Sequence, residues 1–307
     1  MEQAEWADRG QQVQLDAPEP ASAPVCLGVS RLGSLQLGGS AFTVWVQLRG
    51  SAWIEAKEGR FRLRRGDWIA LDKDSRPQLQ ADRHGTTIGL ALNADALRGL
   101  SRFSECHLYA GRGRMTRRDA RTAVRLWREA AARLSANPAA PLDPQALRPI
   151  VLHLAGVQRE LSARLPRCPG RSRQRKRQVF GRLQRAHLYL QGNCDRVVRI
   201  SELAELTSFS SWYFSKTFHS LYEESPQAAS ARMRLERAAD LLHSTSMMIG
   251  EVAAACGFDN CCSFARAFRA RFGMPASRYR ALGAHAVRAE SANPPAVARK
   301  ASLRTGT

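Results

Sequence analysis

Two stretches about fifty residues apart, LAELTSFSSWYFSKTFHSLYE (Leu203–Glu223) and VAAACGFDNCCSFARAFRARFG (Val252–Gly273), describe the same unit. Each reads as a short helix, a tight turn and a second amphipathic helix, a piece too small to bury a core alone. Arg199-Ile-Ser-Glu-Leu-Ala204 aligns with Met248-Ile-Gly-Glu-Val-Ala253. Both continue to a phenylalanine five residues on, Phe209 and Phe258, and then to phenylalanines at four-residue spacing, Phe214/Phe218 and Phe264/Phe268. The second turn is one residue longer.

The residue types explain the unit. A small Ala in the first helix lets another helix cross close by. A small residue four positions later, Ser208 or Gly257, lets the chain turn, glycine more comfortably than serine. The phenylalanines plug the gap between the helices. Left outward on the second helix are Ser211, Trp212, Ser215 and Lys216 in one copy, and Cys261, Cys262, Ser263 and Arg266 in the other. That pattern predicts two helix-turn-helix units, at about 200–221 and 249–271, whose second helices enter major grooves of DNA. The intervening PQAASARMRLERAADLLH (Pro226–His243) predicts a helix of roughly 27 Å. Adjacent major-groove faces lie about 34 Å apart, so such a rod suits two recognition helices near one turn apart.

Residues from about Arg182 to Arg280 resemble the DNA-binding domain of AraC/XylS-type bacterial transcription regulators. The motifs are LAELTSFSSWYFSKTFHSLYEESP, ARMRLERAADLLHSTSMMIGEVAAACGFDNCCSFARAFRARFG and RYR. GSAWIEAKEGRFRLRRGDWIALD, further upstream, resembles that family's cupin-like sensor domains less closely. The resemblance implies double-stranded DNA and RNA polymerase as partners, an effector or other signal, and activation of transcription. The sequence departs from the family at Glu223, where glycine is usual. It departs again at Pro275-Ala276 in place of Ser-Pro, at the helix caps Arg199 and Met248, and at Ser263, where an aromatic is usual.

The charge agrees with a polyanionic partner: 47 Lys and Arg against 27 Asp and Glu give +20. Residues 1–110 carry 13 of each sign and are neutral, whereas 111–180 carry 17 basic against 4 acidic. Seven cysteines without a paired framework, and no signal peptide or long apolar run, fit reduced thiols in a cytoplasmic chain with no membrane partner.

Six segments are expected. Residues 1–24, with three prolines, make a flexible arm. Residues 25–110 make a cupin-like antiparallel sandwich or barrel, since Phe42, Val44, Val46 and Leu48 alternate with Thr43, Trp45 and Gln47. Residues 111–166 are helical. Ala120, Val124, Trp127, Ala131 and Leu134 share one face, and Leu147, Ile150, Leu154, Val157 and Leu161 step as a coiled-coil seam. The seam fits packing on the sheet or a homodimer contact, and the dimer contact is the preferred expectation. Residues 167–180, containing RCPGRSRQRKR, make a basic spacer; 181–283 the DNA-binding domain; 284–307 a disordered tail. The fold class is thus a β-sandwich with a helical dimerisation segment, followed by an all-α double helix-turn-helix.

On the recognition helices, Arg266 is the candidate for a guanine or phosphate contact, because a guanidinium fork pairs two acceptors. Lys216 suits a phosphate, or a solvated surface. Trp212 suits sugars or thymine methyls, or a partly core position. Ser211 and Ser215 suit backbone oxygens. Cys256 belongs to a packed helix, and a thiol switch at Cys261 or Cys262 lacks a resolving partner. Enzyme signatures are missing: no His-x-His with a downstream Glu, with Lys57, Glu58 and Arg60 standing in that loop, no phosphate loop and no nucleophile elbow. No catalytic residue, cofactor or metal is expected. Trp45, Trp53 and Trp68 line an effector pocket or are simply core and surface. The alternative to a specific regulator is an architectural or nonspecific nucleic-acid binder acting through charge.

Overall fold

In a computed structural model of the chain, residues 4–15, 24–103, 107–136 and 146–282 are described. They fall into two compact units. One is built from residues up to Asn193 with Val197–Ser230, the other from Cys194–Arg196 with residues from Ala231 onward. The tail expected to be disordered, 284–307, lies outside the described residues.

The first unit opens with eleven strands in two sheets. These are β1 (Glu5–Ala7), β2 (Gln12–Leu15), β3 (Val25–Ser30), β4 (Ser34–Leu37), β5 (Phe42–Arg49), β6 (Ser51–Ala56), β7 (Gly59–Arg64), β8 (Asp67–Leu71), β9 (Gln78–Ala81), β10 (Thr86–Leu92) and β11 (Gly111–Arg114). The first sheet runs β1-β3-β10-β5-β8-β11 and the second β2-β4-β9-β6-β7. All pairings are antiparallel except β1 with β3 and β2 with β4. Period-two patterning decides the sides: in the second sheet Ala52, Ile54, Phe61 and Leu63 are buried while Trp53, Arg60 and Arg62 face out. The first sheet is buried on both faces. Trp45, Ile69 and Leu27 meet the second sheet, whereas Val44, Val46, Trp68 and Leu90 lie under helices.

Within the arm expected over residues 1–24, the described residues 4–15 are not loose. Gln12–Leu15 pairs in parallel with β4, and Glu5–Ala7 does the same with β3. The side chain of Asp8, between them, accepts from Ser30 Oγ at 2.7 Å and from Arg31 Nε at 2.8 Å. Residues 16–23 of that segment lie outside the described residues.

Helices α1 (Ala94–Phe103), α2 (Arg117–Ala136), α3 (Arg148–Val157) and α4 (Arg159–Ser162) follow. Trp127 and Ala131 of α2 pack on the outer face of the first sheet, and Trp127 Nε1 donates to Gly89 O at 2.7 Å. The seam expected to make a dimer is used inside the chain instead. Leu147, Ile150 and Leu154 are buried in that same cluster, with Val157 and Leu161 packed against it. An amphipathic stripe has no means of distinguishing a neighbouring sheet from a partner helix; here the sheet's apolar outer face takes it.

The basic stretch expected as an open spacer is mostly ordered. A 3-10 turn covers Leu165–Arg167, Cys168 is buried, and helix α5 (Arg173–Gly192) begins inside the run. Ser172 caps it, accepting from Arg175 N at 3.2 Å, and Val179, Phe180 and Leu183 bury its inner face. The arginines of its first turn stay in water. Then come α6 (Ile200–Thr207), α7 (Ser211–Tyr222) and α8 (Pro226–Ser244), a 19-residue helix about 28 Å long.

The β-sheets touch α5 directly. Gly59, at the β6–β7 turn, and Gly192, at the end of α5, approach so closely that a Cβ on Gly192 would lie 2.3 Å from Glu58 O. Asn193 Nδ2 donates to Glu58 O at 3.0 Å. Arg185 Nε donates to the fully buried carboxylate of Glu58 at 2.8 Å.

The second unit holds α9 (Ile249–Ala255) and α10 (Cys261–Phe272). Its core gathers Leu235, Ala238 and Leu242 from α8 with Val252, Ala253, Cys256, Phe264 and Phe268.

Candidate nucleic-acid interface

Both helix-turn-helix units are assembled by the same devices. Each first helix starts on a residue whose side chain makes no cap, Arg199 or Met248, and the glutamate three residues on compensates. Glu202 Oε1 accepts from Arg199 N at 3.0 Å, and Glu251 Oε2 accepts from Met248 N at 2.7 Å. The turns differ in cost. Ser208 takes the left-handed region at φ 52°. Gly257 takes it at φ +69°, where a Cβ would lie 2.7 Å from Arg196 Cα, so this position needs glycine on two counts.

The second helices match as closely. Ser210 Oγ accepts from Tyr213 N at 3.3 Å to start α7, and Asn260 Oδ1 accepts from Ser263 N at 2.7 Å to start α10. Phe214, Phe218, Phe264 and Phe268 are fully buried and turn the two inner faces toward their cores. Both helices end on a left-handed residue, Glu223 at φ 63° and Gly273 at φ 73°, whose N–H donates to His219 O and Arg269 O at 2.8 Å. Glu223 occupies the strained position with a charged side chain, and its carboxylate meets Arg167 at 2.8 Å.

The outward faces carry only neutral and basic side chains. Neither α7 (SWYFSKTFHSLY) nor α10 (CCSFARAFRARF) contains an acidic residue. On α7, Ser211, Trp212 and Lys216 are exposed and Ser215 is half-buried. Trp212 is 69% exposed, which excludes the core alternative, and Lys216 Nζ stands 4.8 Å from the centre of its ring. On α10, Cys261, Cys262 and Arg266 are exposed, while Ser263 is half-buried with its hydroxyl donating to Asn260 O at 2.9 Å. Each set therefore shares the free side of one helix.

Three contributors were overlooked in the residue pattern. Ser210 and Asn260 aim the helices by capping them, and a polar residue just ahead of each apolar run was the available signal. Arg269, one turn past Arg266, is exposed on the same helix and is marked by the three-residue spacing.

The turn of the second copy is braced from α8. Arg234 Nη1 donates to Gly257 O at 2.7 Å, with its guanidinium 4.6 Å from the Phe258 ring. Burial lowers its affinity for a proton below the usual arginine value, and raises the Cys256 thiol to about 11. Cys256 is thus an inert core thiol. Among the described residues no group of three or more His, Cys, Asp or Glu could hold a metal ion.

Residues 203–282 match the family model described as a helix-turn-helix domain. The HTH-type transcriptional regulator GbdR of Pseudomonas aeruginosa is 30% identical over 156 residues, 46% of this chain and 41% of that protein. The C-terminal helices are an AraC-type helix-turn-helix domain. The regulator CdhR of the same species is 32% identical over 94 residues, 31% of this chain and 27% of CdhR. This chain therefore spans less than half the length of these two relatives. A solved AraC-type DNA-binding regulator from Chromobacterium violaceum is 25% identical, covering 34% of this chain and 92% of that one, with a TM-score of 0.33. In the AraC-type domain of this chain the departures foreseen at Arg199, Met248 and Glu223 are accommodated locally, by Glu202, Glu251 and Arg167.

Proposed function

We propose that the chain is a sequence-specific DNA-binding transcription regulator, an activator that acts with RNA polymerase in the cytoplasm. α7 and α10 each enter one of two successive major grooves of double-stranded DNA. The observation that carries this reading is the pair of matching helix-turn-helix units with acid-free outward faces. Ser211, Trp212, Ser215 and Lys216 on α7, and Cys261, Cys262, Ser263 and Arg266 on α10, are the contacts. Arg266 reads a guanine edge or a phosphate, Lys216 neutralises a phosphate, and Trp212 packs on sugars or thymine methyls.

The β-sandwich receives the signal. Its coupling to DNA is supported by the seat of the β6–β7 turn on α5, the helix that holds α7: Tyr222 stacks on His187 at 4.5 Å, and its hydroxyl donates to Leu183 O at 3.4 Å. An effector that shifts the hairpin acts on α7 through α5.

Genome-wide mapping of bound DNA with the full chain tests the proposal, alongside Lys216→Ala and Arg266→Ala. Discrete sites that vanish in the variants support it. Binding without base preference, falling equally on all sequences as salt rises, would replace it with a charge-driven architectural binder.

A further inference from the structure

A cleft of about 1120 Å³ lies between the outer face of the first sheet and α2. Of the two readings of Trp45, Trp53 and Trp68, core and surface is the one the fold takes: Trp45 and Trp68 are core, and Trp53 is a surface residue under Arg60. Its floor is apolar, made by Trp6, Leu48, Ile88, Met115, Val124 and Trp127. The two indoles meet edge to face at 6.1 Å. Their N–H groups are committed elsewhere, Trp6 to Ser30 Oγ at 3.0 Å and Trp127 to Gly89 O at 2.7 Å. Gln47, also in the lining, is committed as well: its Oε1 accepts from Thr87 and its Nε2 donates to Arg49 O. The floor offers a ligand hydrocarbon and ring surface, with no free indole hydrogen.

The rim is the opposite. Arg49, Arg65, Arg114, Arg117, Arg121 and Arg128 line it, and no Asp or Glu does. Arg114 reaches Asp67 at 3.5 Å; the other five have no ion-pair partner among the described residues. Arg117 and Arg121 stand four apart on α2, a like-charge spacing that destabilises a helix by itself. The five uncompensated guanidiniums around one cleft repel each other until an anion sits among them, and each can pair a carboxylate or phosphate through two parallel hydrogen bonds. A DNA backbone would use the rim and leave the tryptophan floor unfilled. The volume is just above the range of about 300–1,000 Å³ typical of small-molecule sites.

We infer that this cleft is a binding site for an organic anion that carries two or more negative charges on a ring-bearing apolar body. The body lies on Trp6 and Trp127, and the charged groups reach the α2 arginines on one side and Arg49 and Arg65 on the other. That this ligand is the effector rests on the regulator reading above; that the cleft binds it does not.

Calorimetry on the full chain without DNA tests the site, with naphthalene-2,6-dicarboxylate as probe against its neutral diamide and inorganic phosphate. The dicarboxylate binds the unaltered chain, and the diamide and phosphate each bind at least tenfold more weakly. Each charge-assisted pair lost weakens binding about tenfold, so Arg121→Gln with Arg128→Gln loses about a hundredfold. Ala120→Trp, which fills the cleft from a half-buried position, abolishes binding while the melting temperature confirms a folded chain. No binding by the dicarboxylate would overturn the site, as would equal binding by phosphate or the diamide. Unaltered binding in both variants would do the same. Since DNA is absent from the measurement, failure here leaves the regulator reading standing.

Discussion

Glu58 and Arg185 stand 2.8 Å apart although 127 residues separate them in the chain, with the carboxylate fully buried and the guanidinium 13% exposed. Glu58 belongs to the β6–β7 turn and Arg185 to the helix that supports α7. The pair is only half satisfied, because Glu58 Oε2 and Arg185 Nη2 have no hydrogen-bond partner. Removing one member strands a buried charge, so Glu58→Ala or Arg185→Ala alone costs about 3–5 kcal/mol in urea unfolding. Replacing both by methionine is close to neutral, since desolvating the pair offsets most of its attraction. A double-mutant cycle checks this; equal costs for single and double changes would exclude it.

Glu223 pays for its left-handed backbone where the second copy has Gly273. Glu223→Gly relieves about 1 kcal/mol of backbone strain but removes the contact with Arg167. Both partners are at least half exposed, so that contact contributes under about 1 kcal/mol and is screened by salt. The substitution is therefore near neutral at low ionic strength and stabilising at high ionic strength. Thermal melts across a salt series read the sign.

Lys216→Ala and Arg266→Ala separate the two recognition helices by kind of contact. Losing a phosphate contact at Lys216 weakens all sequences alike and lowers the slope of log affinity against log salt by about 1. Losing a base contact at Arg266 costs about 1–3 kcal/mol on the preferred site and relaxes the sequence preference. Gel shifts at several salt concentrations, on the mapped site and a scrambled one, distinguish them. Identical effects of the two changes would refute the assignment.

Asp8 sets an acid limit on the first strands. Hydrogen bonds from Arg31 and Ser30 hold its carboxyl below the ordinary aspartate value. A depressed native value means that the group's contribution is present above the unfolded value, about 3.9, and is lost as pH falls through the native one. Amide exchange in β1 and β3 should rise in that acid window. Asp8→Asn removes the pH dependence and leaves exchange fast throughout.

How much was legible follows from where each signal sits. The helix-turn-helix units could be read because two copies of one spacing constrain each other, down to the strained turn at Ser208. The sandwich could be read from alternation in Phe42–Leu48, although both alternating sets turn out buried because helices cover the outer face. The start of α5 was invisible, since its first turn is RQRKR and the apolar stripe begins only at Val179. The Leu147–Leu161 seam was visible and its partner was not. The anion cleft could not be read at all: Trp6, Arg49, Arg65 and Arg121 are far apart in sequence and meet only through sheet registry and the packing of α2 on the sheet.

The short stretch Glu5–Leu15 lends an outermost strand to each of the two sheets, β1 to one and β2 to the other. It works as a clasp closing both layers at once. Cutting it away would move those two borders inward to β3 and β4, and in the first sheet it would replace a three-residue edge by a six-residue one, a longer row for chain-to-chain stacking. Fusions and proteolytic trimming at this end therefore bear on solubility more than its few residues suggest.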